Sequence, residues 1–365
     1  MKWLIAPNAF KGTIESVEAA EIIKEVLHRF GEKETSLSPI ADGGDGTALL
    51  LGKALLLPSV KVNTFDALGR EKEAHYYFDK QNKTAYLDVS SATGIKHLNK
   101  NEINARKTST YGTGIMIKKA VENGAKKIIL GLGGSATVDM GLGILQALGF
   151  QYYNQQNELI SPFSENLLFK IARIDAPAFL PDFDVACLCD VKNTFFGKEG
   201  AIPIFGPQKG IQKSEMLDFE NAARKLFTLL KNHNSTLNDE EGFGAAGGIA
   251  LGLNALLNTK LVNGFDFFAA TISLEEQVKN CDLIITGEGK YEPQSQDGKG
   301  SHALLQMAQK HCKKCVLITS GNPGENTGFD DIIQLPDLEF NKGDFKQIAK
   351  ENLRVKFEIW VQNFL

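Results

Sequence analysis

Charged side chains recur beside glycines and at the ends of apolar runs in this chain: Lys11, Asp42, Asp45, Asp139, Asp190, Lys192, Lys209, Glu288, Lys290 and Lys299. Carboxylates hold a divalent cation and amines neutralise phosphate oxygens, so such loops suit a phosphate and metal site. One loop of this kind equally suits a solvated turn; it is their repetition that points to chemistry. The densest stretch is Lys126 to Phe150, KKIILGLGGSATVDMGLGILQALGF. The run Ile128-Ile129-Leu130 predicts a buried strand. Gly131, Gly133 and Gly134 follow, then Ser135, Thr137 and Asp139, and apolar residues at helical spacing begin at Leu142. Strand, glycine loop and helix in that order can present backbone N–H groups and a helix N-terminus to an anion. The alternative is a tight strand-to-helix turn with no ligand.

Known fingerprints narrow the chemistry. A Walker A loop fails, because Lys299 is followed by Gly300 and Pro293 stands where the first Gly is required. The protein-kinase catalytic set is absent. Gly131-Leu132-Gly133-Gly134-Ser135-Ala136 fits G-x-G-x-x-A after a strand, which supports a rival reading as a dinucleotide-dependent oxidoreductase. Six His residues form no acid–base constellation, so a Ser-His-Asp hydrolase has no support.

The elements that must hold these loops read as alternating strands and helices. Lys2 to Ala6 is a short strand opening onto Pro7-Asn8-Ala9-Phe10-Lys11-Gly12, and Ser16 starts a helix with an apolar stripe from Ala19 to Phe30. A second strand near Thr35 to Ile40 ends in Ala41-Asp42-Gly43-Gly44-Asp45-Gly46-Thr47, with a helix from Ala48. In an open α/β sheet, ligands bind at the carboxyl ends of strands. From about Val60 the pattern turns to hairpins, which suggests a second, mixed-sheet domain. Strands near Cys281 to Thr286 and Val316 to Thr319 alternate with a helix from Ser301, so the chain is expected to return to its first sheet. We expect one domain from residues 1–62 plus 278–365 and an inserted one from 63–277, with crossings near Val60 to Asn63 and Val278 to Asp282.

Composition agrees with a globular protein of two domains: 365 residues, 43% hydrophobic and 23% charged. A net charge of -4 gives no electrostatic case for nucleic acid or an anionic membrane. No signal peptide is read at the N-terminus, and the longest apolar run is cut by Gly52 and Lys53, so no membrane span is expected. Five cysteines in a chain this long fit a reducing cytoplasm. Cys312-Lys-Lys-Cys315 has no second pair and reads as plain structural thiols.

Six segments, in this order, resemble the bacterial glycerate kinase family: Ala6 to Gly12, Pro39 to Thr47, Gly131 to Thr137, Cys189-Asp190-Val191, Phe205-Gly206-Pro207-Gln208-Lys209-Gly210 and Ile285-Thr286-Gly287-Glu288-Gly289. The resemblance implies ATP-dependent phosphorylation of D-glycerate, with Mg²⁺, in the cleft between two α/β domains. One of these is a discontinuous, Rossmann-like, parallel-sheet domain; the other is an inserted mixed-sheet α/β domain. It implies Asp42 or Asp190 as base, with Asp190 and Glu288 on the metal and Lys11 facing the phosphoryl group or the substrate carboxylate. Gly133, Gly134, Ser135, Thr137, Lys209, Gly287 and Gly289 would bind the nucleotide. The 2-hydroxyl is the favoured acceptor and the 3-hydroxyl the second choice; a homodimer is left open. Asn8-Ala9 stands where Asp-Ser is usual, Lys290-Tyr291-Glu292 where Arg-x-Asp is usual, and Phe243 where a small residue is usual. Residues 151–183 and 325–365 carry no motif of the family.

Overall fold

The computed structural model describes every residue except Lys11, 292–299, Asn322, 325–326 and 341–342. Lys11, expected to face the phosphoryl group or the substrate carboxylate, the near-Walker stretch and Glu292 therefore lie outside the described residues. The chain divides into two compact units, Met1–Asp42 with Phe265–Leu365 and Gly43–Gly264.

The first unit is built on a five-stranded sheet in the order Asp331–Leu335, Lys314–Ser320, Leu283–Lys290, Trp3–Ile5, Thr35–Leu37. All four pairings are parallel, with Leu4 level with both Ile284 and Ser36. Parallel strands are covered on both faces and so read as unbroken apolar runs, as WLI and LIIT do. One face, with Trp3, Ile5, Leu283, Ile285, Val316 and Ile318, packs under the helices Ser16–Arg29 and Phe345–Phe364. The alternate residues Leu4, Ile284 and Leu317 are also buried, and the helix Gly300–Lys310 packs against the 283–290 and 314–320 strands. Trp3 meets Trp360 and Phe364 edge-on, which fastens the last helix to the first strand. From Trp3–Ile5 the chain passes to one side of the sheet, and from Leu283–Lys290 to the other. The order of strands thus reverses between these two neighbours.

The second unit carries a six-stranded sheet in the order Thr259–Asn263, Asp184–Cys189, Lys127–Gly131, Thr84–Asp88, Glu71–Asp79, Ser59–Phe65. The first four strands are parallel; the last two form the antiparallel hairpin read from the sequence. A small antiparallel pair, Gln151–Tyr153 with Arg173–Asp175, lies apart. One large apolar cluster fills this unit.

Both crossings between units differ from those expected. The first falls between Asp42 and Gly43, not near residue 62, because the helix Thr47–Ala54 belongs to the second sheet. That helix packs on the 84–88 and 71–79 strands, and the Asp88 carboxylate accepts from Ala48 N at 3.0 Å. The strand Ser59–Phe65, which holds the expected crossing residues Val60 to Asn63, is paired along its length with Glu71–Asp79. The second crossing falls at Gly264 and Phe265, not near 277. The helix Leu274–Lys279 packs on Gly300–Lys310, where Glu275 pairs with Lys310 and His311, each at 2.7 Å. Among the described residues no helix is long and apolar enough to cross a membrane.

Candidate active site

In the first unit the backbone itself brings two of the expected carboxylates together. Ser38 N donates to Ile5 O at 2.9 Å and Ile40 N to Pro7 O at 3.0 Å, which carries the chain beyond Thr35–Leu37 alongside the first strand. Asp42 ends this segment, buried, and accepts from Asn8 Nδ2 at 2.8 Å. Asn8 is fixed in turn, since its N–H donates to Gly287 O at 2.8 Å. Glu288 is the next residue and is also buried. Asp42, Glu288, Gly289 and Lys290 line one cavity of about 510 Å³ in this unit, together with Asn8 and Ser320. The cavity lies at the carboxyl ends of the central strands, beside the reversal of strand order, where open α/β sheets take their ligands. Gly287 is packed for another reason: a Cβ there would come within 2.7 Å of Ile318 O and 2.9 Å of the Phe10 ring.

Among the described residues no group of three or more His, Cys, Asp or Glu could hold a metal ion alone. Two carboxylates on one cavity nevertheless fit Mg²⁺, which is bound through one or two carboxylates, with substrate phosphates and water completing its shell.

In the second unit the glycine loop packs closely on the turn at Gly43 to Asp45. Gly133 N donates to Gly43 O at 3.3 Å, and a Cβ on Gly133 would stand 2.4 Å from Gly44 Cα and 2.7 Å from Asp45 N. The glycines are there because two loops meet backbone to backbone. Gly134 has φ of +72°, a region that favours glycine. Ser135 Oγ and Thr137 Oγ1 lie 2.9 Å apart, both buried. Lys209 is buried and donates to Thr137 O at 2.8 Å, and burial pushes its amine down to about 8, with Asp139 acting in the opposite sense. Asp139 is wholly buried, which pushes its carboxyl up. It accepts from Thr110 N and Oγ1, each at 2.8 Å, and from the N–H groups of Gly141 and Gly143. It thereby occupies the N-terminus of the helix Leu142–Ala147. That helix begins well past Ala136, and its positive end is already neutralised, so the G-x-G-x-x-A match lacks the phosphate seat a dinucleotide needs. Asp190 is half-buried, directly after the strand Asp184–Cys189.

Four residues with evident work had no role assigned from the sequence. Asn8 is visible only as the donor to Asp42. Ser90 and Lys96 both bond Asp45, Lys96 Nζ at 2.8 Å. Asp88 closes the strand Thr84–Asp88 and bonds the first N–H groups of the Thr47–Ala54 helix; an acid at a strand end with a helix start elsewhere in sequence leaves no local signal.

Asp88 also yields a pH prediction. Burial pushes its carboxyl up to about 7, against the N–H groups of Ala48 and Gly46, which favour the charged form. A folded-state value above the ordinary 3.8 means that the folded protein holds the proton more tightly. The resulting stability is present below about pH 4 and is lost as pH rises towards about 7. Over that window wild type is expected to lose on the order of 4 kcal/mol relative to Asp88→Asn in denaturant melts. Parallel curves for the two proteins would mean the carboxylate is ionised throughout.

The geometry defines a two-unit α/β enzyme with acidic and basic side chains at the strand ends of its parallel sheet. Comparison with known proteins makes this specific. The family model described as "Glycerate kinase family" matches residues 3–359. The glycerate kinase of Haemophilus influenzae is 34% identical over 324 residues, 87% of this chain and 85% of that protein. The glycerate 2-kinase of Escherichia coli K12 is 32% identical over 323 residues, 87% of this chain and 84% of that protein. A crystal structure from Salmonella typhimurium LT2, provisionally described as glycerate kinase 2, superposes with a TM-score of 0.81 at 28% identity. It covers 100% of this chain and 98% of that one. The chain belongs to the glycerate kinase family, and with it to the phosphotransferases that act on an alcohol group. Nothing in these comparisons favours an oxidoreductase.

Proposed function

We propose that this enzyme transfers the γ-phosphoryl group of ATP, bound as its Mg²⁺ complex, to the 2-hydroxyl of D-glycerate, giving 2-phosphoglycerate. The observation that carries the reading is Asp42 and Glu288 on one cavity at the carboxyl end of the parallel sheet. Phosphoryl transfer asks the protein for positioning, charge neutralisation and a carboxylate near the attacking hydroxyl. Asp42, oriented by the Asn8 amide, accepts the hydroxyl proton. Glu288 would hold the metal. Lys11 is our choice to neutralise the phosphoryl group or the substrate carboxylate. Asp190, from the second unit, is the alternative carboxylate for either role. A divalent cation held there would supply charge neutralisation for the phosphate oxygens.

Close packing of the Gly131–Thr137 loop supports a structural role for Gly133, Gly134, Ser135, Thr137 and Lys209: they hold the turn that follows Asp42. The E. coli relative is called a glycerate 2-kinase, which supports the 2-hydroxyl over the 3-hydroxyl. Free thiols at Cys187, Cys189, Cys281, Cys312 and Cys315 suit a reducing compartment, and the cytoplasm is our proposed location.

A coupled assay of ATP consumption with D-glycerate and Mg²⁺ tests the reaction, and turnover at the rates usual for small-molecule kinases, about 1–100 s⁻¹, is expected. No turnover with glycerate or related small hydroxy acids defeats the reading. NMR of the product then assigns the phosphorylated carbon, and 3-phosphoglycerate would overturn the regiochemistry alone.

A further inference from the structure

The 510 Å³ cavity is too large and too apolar for the acceptor alone. Glycerate is a small hydroxy acid, polar on every side. One part of the cavity suits such chemistry, with Asn8, Asp42, Glu288 and Lys290. The remainder is walled by Phe10, Ile14, Leu335, Leu338, Phe340 and Ala349. A cleft of about 300–1,000 Å³ with apolar walls and a few polar groups is the usual seat of a ligand several times larger than glycerate.

The walls come from three places. Phe10 and Ile14 belong to the loop after the first strand and are held rigidly: Phe10 N donates to Ile14 O at 2.9 Å, and Ile14 N to Phe10 O at 3.1 Å. Leu335 ends the edge strand Asp331–Leu335, Leu338 and Phe340 follow it, and Ala349 lies on the helix Phe345–Phe364, all in the part of the chain that carries no recognised motif. Phe340 is 64% exposed and meets Phe345 at 5.6 Å between ring centroids. A large aromatic side chain left this open at the rim of a cavity is placed to stack on a planar ligand.

We infer that this apolar part of the cavity seats the nucleoside of the phosphoryl donor. Its phosphates then run towards Asp42, Glu288 and Lys290. The inference rests on the kinase reading above and adds to it where the nucleotide lies. The segment after residue 331 thus acquires a role that the Gly131–Thr137 loop was expected to fill. Phosphates at the carboxylate end need a cation between them, and two carboxylates suffice to hold one once phosphate oxygens join.

The test uses the full chain. KM values for ATP–Mg²⁺ and for D-glycerate are measured for wild type, Phe340→Ala and Leu338→Ser. The expected result is a rise of about tenfold in KM for ATP in each variant, with KM for glycerate within about twofold, since each change removes roughly 1–2 kcal/mol of apolar contact. An unchanged KM for ATP, or a rise confined to glycerate, overturns the assignment. Should Leu338→Ser fail to fold, the largely exposed Phe340 still gives the answer. An inactive wild type overturns the kinase reading instead. Calorimetry with ADP then decides the cavity: it stands if wild type binds ADP and the variants bind about tenfold more weakly, and falls if ADP binds equally or not at all.

Discussion

Asp42→Asn is expected to lower kcat/KM for glycerate by about a thousandfold, within the range that a positioned general base contributes. The side chain is buried and receives one hydrogen bond from Asn8 Nδ2 at 2.8 Å. In the wild type that amide orients a carboxylate; in the variant two amides face each other and no base remains. Asn8 stands where Asp is usual in the family, and the difference has a consequence here. A carboxylate at position 8 would have no N–H to give Asp42, whereas the Asn8 amide donates one and so fixes the direction of the Asp42 side chain. Initial rates, with circular dichroism to confirm folding, check the result. Activity within about tenfold of wild type would remove Asp42 from the chemistry and favour Asp190 as base.

The second large effect is on stability. Gly133→Ala places a methyl group 2.4 Å from Gly44 Cα, a backbone atom that cannot step aside cheaply. Overpacking of this kind costs about 3 kcal/mol, or roughly 8 °C in the melting temperature of a unit this size. If the loop instead cradled nucleotide phosphates, the same substitution would leave melting unchanged and raise KM for ATP. Calorimetric melting alongside KM for ATP separates the two roles.

These two residues also show what could be read without coordinates. Strand runs such as Trp3–Ile5 and Leu283–Lys290 are apolar throughout because both faces are covered, so periodicity reveals them and shows that the chain returns to its first sheet. The carboxylates at strand ends follow from the same logic. The role of the glycines does not. Sequence shows that residues 131, 133 and 134 lack side chains, but not whether the space is filled by an anion or by the backbone at Gly44. Burial hides in the same way: the letters do not show that Lys209 and Asp139 are enclosed, with Lys209 bonded to Thr137 O and Asp139 to Thr110 N. The unit boundary was missed because Asp88, far along the chain, caps the Thr47–Ala54 helix and draws it into the second sheet. The apolar wall at Leu335 to Phe340 has no periodic or glycine signal at all.

The position of Trp3–Ile5 has a consequence for how the protein is made. This first-synthesised strand is central in its sheet, and one of its neighbours, Leu283–Lys290, emerges from the ribosome only after the whole of Gly43–Gly264. The inserted unit can fold on the ribosome as soon as it is complete, while the apolar WLI segment waits with one edge unpaired. A nascent chain stopped before residue 283 therefore displays an open β-edge beside the helix Ser16–Arg29, a binding signature for a holding chaperone and a template for aggregation. Pairing with Leu283–Lys290 closes that edge, so the first strand is completed only by a segment that lies beyond the inserted unit in the chain.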